Sequence, residues 1–514
     1  MSNTVLDMAG PCGTPMNESG PDPFESLAEK YERIVALQDT QELLAWDQQV
    51  MMPEGGTPAR SKQRSTISAL EHDLVTDPDL ADQLDSLEDR NLDLEQSAVV
   101  REIRRIQRRQ NAVPRDLIEA RSETSSEALE VWKEARSAED FSIFAPILDR
   151  QVTLAREYAE AIDPDRDPYA VLFEEYEPFL GLETADRILS ELKDALVPRI
   201  EAIRNSDRSH PSPFEDPVSE SVQEELARDA LDFLGYDWDR GRLDTAPHPF
   251  STGNQFDARV TTRFDEDEPL SALLSTIHEF GHARYTLGLP SEAYGSPLGQ
   301  HRGLTVHESQ SRLWENHVGR SRSFWEYFVD RVAKRVPAIE NTAAEDLYRA
   351  VNRVDPNSLI RVEADELTYH LHIVLRYEIE RELIAGNLDA AEVPAMWNDK
   401  MAEYLGIRPE SPSEGALQDI HWSHGNFGYF PTYSLGSVLS AQLYDAAAAD
   451  IGGLEEKIAA GNTTPLAEWL ESTIHQHGCR YRTGDLIERA TGQELTATPF
   501  IEYLDEKYGD LYGI

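Results

Sequence analysis

Cysteine is nearly missing from this chain. Cys12 and Cys479 are the only two in 514 residues and neither belongs to a C-x-x-C pair, so a disulfide framework is excluded. No apolar run reaches the roughly 18 residues that a membrane helix needs, and the N-terminus lacks the basic, apolar and small-residue succession of a signal peptide. These absences predict a soluble, cytoplasmic protein. Positive charge is scarce as well. Only 48 residues are Lys or Arg, eight of them lysine, against 95 Asp and Glu, a formal net charge of −47. Such a surface repels nucleic-acid phosphates and anionic membrane headgroups, which removes both as partners. A disordered acidic chain is excluded by the hydrophobic periodicity that runs almost throughout. The acids are spread over every helical stretch, not gathered into blocks that would hold a basic partner. The balance therefore reads as a halophile's surface: at molar salt the Debye length falls to about 3 Å, and hydrated carboxylates keep the molecule dissolved.

What is present is helix. At 514 residues the chain exceeds the usual size of one domain, so two lobes are expected. Residues 1–23, rich in Gly, Pro, Ser and Asn, read as a flexible tail, and 24–514 as the folded part. Phe24, Leu27, Tyr31, Ile34 and Leu37 share one helical face; Pro53 and Gly55-Gly56 end that unit, and Pro58 opens the next. Long amphipathic stretches follow, among them Leu117–Ser137 and Phe144–Ile162, and Arg204–Val218 is the clearest internal loop. Only Pro247–Phe264 departs from this pattern. Its alternation and β-branched residues predict a small hairpin or short sheet leading into the next helix. The expected class is all-α with one minor β element.

That next helix carries the chemistry. His278-Glu279-Phe280-Gly281-His282 reads H-E-x-x-H. Residues four apart on a helix lie one turn above each other, so both imidazoles can reach one metal ion, and Glu279 is placed to hold a water and take its proton. The pentapeptide alone also occurs by chance, and two histidines on an ordinary amphipathic helix are the plain alternative. Its surroundings favour the metal. Leu270, Leu273, Leu274 and Ile277 form an apolar stripe entering the motif on a helix. Glu308, 26 residues beyond His282, offers a third ligand from a second helix and leaves a fourth position open, as a metallohydrolase requires. Gly281 gives up about 1 kcal/mol of helix propensity, which points to close approach of another backbone or of substrate. Other histidines carry less. His370 and His372, like His475 and His477, are two apart and face different ways. His301, His307 and His424 are candidates only for orienting ligands.

With these motifs the sequence resembles the carboxypeptidase Taq family of metallocarboxypeptidases. The likeness rests on five motifs in order between about residues 250 and 435. Beside His278–His282 and His307-Glu308-Ser309-Gln310 these are Asp257-Ala258-Arg259-Val260-Thr261, Ile360-Arg361-Val362-Glu363-Ala364-Asp365, and Gly415-Ala416-Leu417-Gln418-Asp419-Ile420-His421-Trp422. The resemblance implies an elongated, saddle-like helical molecule with a deep active-site groove, a homodimer, and release of single residues from peptide C-termini with broad preference. The implied cofactor is one divalent ion, zinc or else cobalt.

The resemblance also assigns roles. Arg361 matches the family's anchor for the substrate's terminal carboxylate, which arginine's planar fork holds bidentately, with Arg259 as second choice. A salt bridge to Glu363, Asp365 or another acid is the alternative for Arg361, and a salt bridge likewise for Arg259. His421 and Tyr433 match the family's donors to the tetrahedral oxyanion. They stand twelve residues apart across the glycine-containing loop Gly425–Pro431. A half-buried core position is the alternative for Tyr433, and Tyr429 is its nearest rival; Trp422 and Phe430 line or support the groove. Two competing functions remain: an oligoendopeptidase, which needs no carboxylate anchor, and a non-catalytic peptide-binding scaffold with a structural metal.

Overall fold

The computed structural model describes residues 22–514. The tail expected over 1–23 lies outside the described residues except for its last two, and Pro23 already opens the first helix, Pro23–Val50. Asp22 starts it. The aspartate carboxylate accepts a hydrogen bond from Phe24 N, and proline at the first position lacks only a donor that would go unused there. Among the described residues there are twenty α-helices and one three-stranded sheet. Thr57–Val75 follows Pro53 and the glycine pair, and the loop expected from Arg204 separates Leu182–Arg204 from Glu220–Leu234.

The sheet is larger than expected. The hairpin is present as β2 (Ser251–Asn254) and β3 (Asp257–Thr262), antiparallel, with Ser251 opposite Val260. A further strand, β1 (Gly241–Thr245), begins upstream of the expected span and runs parallel to β3, which becomes the central strand. Gly241-Arg242-Leu243-Asp244-Thr245 buries only Leu243, so no alternation is long enough to announce it. The sheet positions the helix that follows, Pro269–Gly288. At the end of β3, Thr276 donates from that helix to the hydroxyl of Thr262 at 3.1 Å, and both are buried.

Apolar side chains gather in two clusters. A small one joins the first four α-helices through Leu27, Tyr31, Ile34, Val75, Leu80, Leu84 and Ile103. The large one runs from Ala128 to Tyr512 and contains Ile277 and Phe280 of the metal-motif helix. Polar ties link the two. Arg302, almost fully buried, pairs both guanidinium nitrogens with Glu102 at 2.8 and 3.1 Å, and Tyr31 donates to Gln300 at 2.8 Å. Between them lies a cavity of ≈ 680 Å³ whose walls include Glu42, Arg105, Tyr176, the β2 residues Ser251–Gly253, and His307.

Candidate metal centre

Two helices bring three donors together. Pro269–Gly288 carries His278 and His282, and Leu304–Arg312 carries Glu308. The donor atoms all lie within 4.8 Å of one another. Glu308 Oε2 is 3.7 Å from His278 Nε2 and 3.5 Å from His282 Nε2. Ligands bound at about 2.0–2.1 Å in a tetrahedral shell stand roughly 3.4 Å apart, so this donor set fits one divalent ion.

The spacing has a backbone cause. A Cβ on Gly281 would lie 2.5 Å from Ser311 Cα and 2.6 Å from Gln310 O, closer than real side chains come. Gly281 is therefore what lets the second helix approach the first, as its place in a helix interior suggested. The opposite side repeats the device. A Cβ on Gly436, in the helix Pro431–Ile451, would lie 2.5 Å from Glu308 Cβ. The Glu308 helix is thus pressed between two others, each touching it through glycine.

Side chains around the donors orient them. Glu315 Oε2 meets His278 Nδ1 at 2.9 Å, which turns Nε2 toward Glu308. Arg312 donates to Glu308 Oε1 at 2.8 Å and to Glu315 at 3.2 Å, so Oε2 of Glu308 is left facing the histidines. Glu315 lies in a π-turn over Leu313–Gly319 that continues the Glu308 helix, such as often marks functional sites. His307 stacks on His282 at 4.3 Å, and His301 stands 4.4 Å beyond it. His424 lies elsewhere, its carbonyl accepting from Ser125.

Electrostatics follow from burial and neighbours. Burial raises the carboxyl of Glu279, against the pull of His278 and His282. Glu308 is the reverse: burial would raise it, but Arg312 and the two histidines hold it well below the usual carboxylate range. The His278 imidazolium is disfavoured by burial, yet Glu308 and Glu315 outweigh this and raise it.

Arg361 and His421 are placed by a second set of contacts. Asp419 Oδ1 accepts from Arg361 Nε at 3.0 Å and Nη2 at 2.8 Å, and Gln418 accepts from Arg361 N. The partner of Arg361 is therefore Asp419. Asp365, one of the acids expected to compete, instead caps Leu367 and Thr368. Tyr369 links this cluster to the donors: Arg312 lies 5.0 Å from its ring centre, and Arg361 Nη1 donates to its hydroxyl at 3.3 Å. Tyr433 is half-buried with its ring 5.4 Å from the Arg361 guanidinium and 6.5 Å from the His421 ring. Tyr429 stands 5.3 Å from Tyr433 and remains its close neighbour. Burial lowers His421 to about 4 and pushes Tyr433 well above the usual phenol range. Trp422 and Phe430 are buried supports; Trp422 donates to Glu380 at 2.9 Å.

Arg259 is the site residue that stands apart. It forms a forked salt bridge with Asp257 and lies 4.1 Å from the ring of Trp46 in the first helix. His370 and His372 reach different partners, Ser434 and Ser358, as their spacing requires. Arg312, Glu315, Asp419 and Arg376 were missed from the sequence. The first two could have been found, since they follow Glu308 by four and seven residues on one helix face.

With this geometry in place, the chain can be set beside known proteins. Residues 26–508 match the family described as carboxypeptidase Taq (M32) metallopeptidase. The chain belongs to that family. Membership makes it a metallocarboxypeptidase, a metal-dependent hydrolase of peptides. Thermostable carboxypeptidase 1 of Thermus thermophilus is 39% identical over 505 residues, covering 95% of this chain and 99% of its own. Carboxypeptidase 1 of Bacillus subtilis is 34% identical, with 94% and 97% covered. Among solved structures, the M32 carboxypeptidase of Deinococcus radiodurans superposes with a TM-score of 0.93 at 37% identity, covering 96% of this chain and all of that one. The family and these structures bear out the all-α class. No described helix is long and apolar enough to cross a membrane.

Proposed function

We propose that this carboxypeptidase releases single amino acids from peptide C-termini with broad preference, using His278, His282 and Glu308 to hold one zinc ion (or cobalt). A divalent ion bound there supplies Lewis-acid polarisation of the scissile carbonyl and acidifies a water. The protein's own groups do the rest. A carboxylate oxygen of Glu279 takes a proton from the attacking water and returns it to the departing amine. His421 and Tyr433 donate to the developing oxyanion; the imidazole is neutral at pH 7 and can give an N–H, and the phenol keeps its proton. Arg361 holds the terminal carboxylate, so only the last peptide bond reaches the donors. Arg259, committed to Asp257, is given no step. The two-lobed saddle, the homodimer, the cytoplasmic location and a saline habitat belong to the same proposal.

The observation that carries this reading is a buried arginine beside the oxyanion donors, joined through Tyr369 to the metal-ligand helix. An endopeptidase has no need of it. The test uses one peptide as free acid and as C-terminal amide, followed by mass spectrometry in molar salt with added zinc. A ladder of single-residue losses from the free acid, with the amide spared, is the expected result. Internal cleavage of both forms would place the chain among endopeptidases and leave Arg361 without its role. Bound metal without turnover of either form would point to a binding scaffold.

A further inference from the structure

Arg361 is only 6% exposed, and its one ion-pair partner among the described residues is Asp419. An arginine neutralised by its own carboxylate is a poor ligand for a second one, because the first carboxylate has already taken its charge and two of its donors. The arrangement around Asp419 removes that difficulty. Its other oxygen, Oδ2, accepts from Nε of Arg376 at 2.6 Å, and Arg376 is fully buried. Arg376 also donates to His372 O at 2.7 Å, with its guanidinium 4.4 Å from the ring centre of Trp397. Two guanidiniums share one carboxylate, so the buried group carries a net single positive charge. Nearby ionisable groups leave that count standing. His421 lies 3.8 Å from Asp419 and is uncharged at neutral pH, and the Tyr369 and Tyr433 phenols keep their protons. Glu380 accepts from Tyr169, Trp422 and Gly428 and forms no ion pair with Arg376. Burial raises its carboxyl to about 7, so it adds no full negative charge below that pH, where the kinetics are measured. A buried positive charge without its own anion is costly, and an incoming carboxylate relieves it.

We propose that Arg376 is a positioning residue that offsets the charge of Asp419, so that Asp419 can orient Arg361 without cancelling its attraction for the substrate's terminal carboxylate. Asp419 takes Nε and Nη2 of Arg361, and Nη1 keeps only its 3.3 Å contact with Tyr369. The triad would thus act as one anion receptor, with Arg361 as the contacting member and Arg376 behind it. This rests on the assignment of Arg361 as the anchor.

Charge, not packing, is what the test must separate. Arg376→Met takes the triad from +1 to zero while filling most of the volume. Adding Asp419→Asn to it restores +1 on Arg361 alone. KM and kcat are measured for a free-acid peptide on zinc-loaded enzyme, together with inhibition by the C-terminal amide of that peptide, which carries no charge for the triad. A charge-assisted hydrogen bond is worth about 1.5–3 kcal/mol, so Arg376→Met should raise the free-acid KM about tenfold or more, with a smaller change in kcat. Inhibition by the amide should not move, and the double variant should recover most of the lost KM. If Arg376→Met does not fold, Arg376→Gln makes the same charge change and keeps a donor for His372. An unchanged free-acid KM in the single variant, or equal losses in single and double, would overturn the proposal. Arg361→Met tells the two failures apart: if it leaves the free-acid KM unaltered, the anchor itself is wrong. If it raises KM while the Arg376 variant does not, only the charge balance fails.

Discussion

Glu279 sits 7% exposed between two imidazoles, and its two environments pull in opposite directions. Burial favours the neutral acid, while an ion and its histidines favour the carboxylate, which is the tension a general base near neutral pH requires. Glu279→Gln keeps the size and leaves all three donors in place. It should therefore bind metal as before while kcat falls by about 10²–10⁴; metal analysis of the purified variant beside its turnover checks both halves. Retained turnover would remove Glu279 from the mechanism. At this scale the donors were legible because helical spacing is local: His278 and His282 need only the number four, and Glu308 only a second helix. Arg361 was nameable through resemblance, but its partner was not. Asp419 lies 58 residues away and Arg376 lies 43 from Asp419. No periodicity encodes such pairings, so the sequence offered Glu363, Asp365 or another acid as a salt-bridge partner for Arg361, and the structure supplies Asp419.

Elements set the distances that residues exploit. The Glu308 helix is held between the two flanking helices at Gly281 and Gly436. Alanine at either position should cost about 1–3 kcal/mol by forcing the helices apart. Because the displaced helix carries a donor, metal affinity should fall as well; thermal unfolding with and without a chelator separates the two effects. The same helix has no N-cap of its own, since Gly303 precedes it. Glu177 serves instead, accepting from Thr305 N, while its other oxygen meets no donor among the described residues. Burial raises this carboxyl from 4.5 to about 8. A raised acid favours the protonated folded state, so its contribution to stability is complete below the unfolded value and is lost as pH climbs toward 8. Glu177→Gln should cap as well and flatten that decline, which apo-protein melting curves between pH 5 and 8 would reveal. Helices were easy to foresee, from amphipathic stripes and proline starts. Strand β1 was not, because five residues with one buried position leave no pattern, and a parallel partner seventeen positions away makes it a strand.

For the molecule as a whole, the net charge of −47 opposes compaction. Many visible ion pairs are arginine–carboxylate pairs at the surface, individually worth about 0–1 kcal/mol, too little to offset so large an excess. Salt should. Screening shortens repulsion to a few ångströms, so the melting temperature should rise steadily from 0.05 M to about 2 M salt, then further with zinc bound. A flat or falling response in calorimetry would refute the halophilic reading while leaving the enzyme untouched. The glycine contacts carry a last consequence at this scale. At Gly281 the partner atoms are main chain, Ser311 Cα and Gln310 O, which stay in place whatever residues stand at 310 and 311, so only a side chain added at 281 itself changes the separation. The anchor and oxyanion groups rest on side chains that can be exchanged one by one. Over descent, then, the hold on the ion should be conservative and the choice of peptide free to wander, so relatives should differ far more in what they cleave than in how firmly they keep their metal.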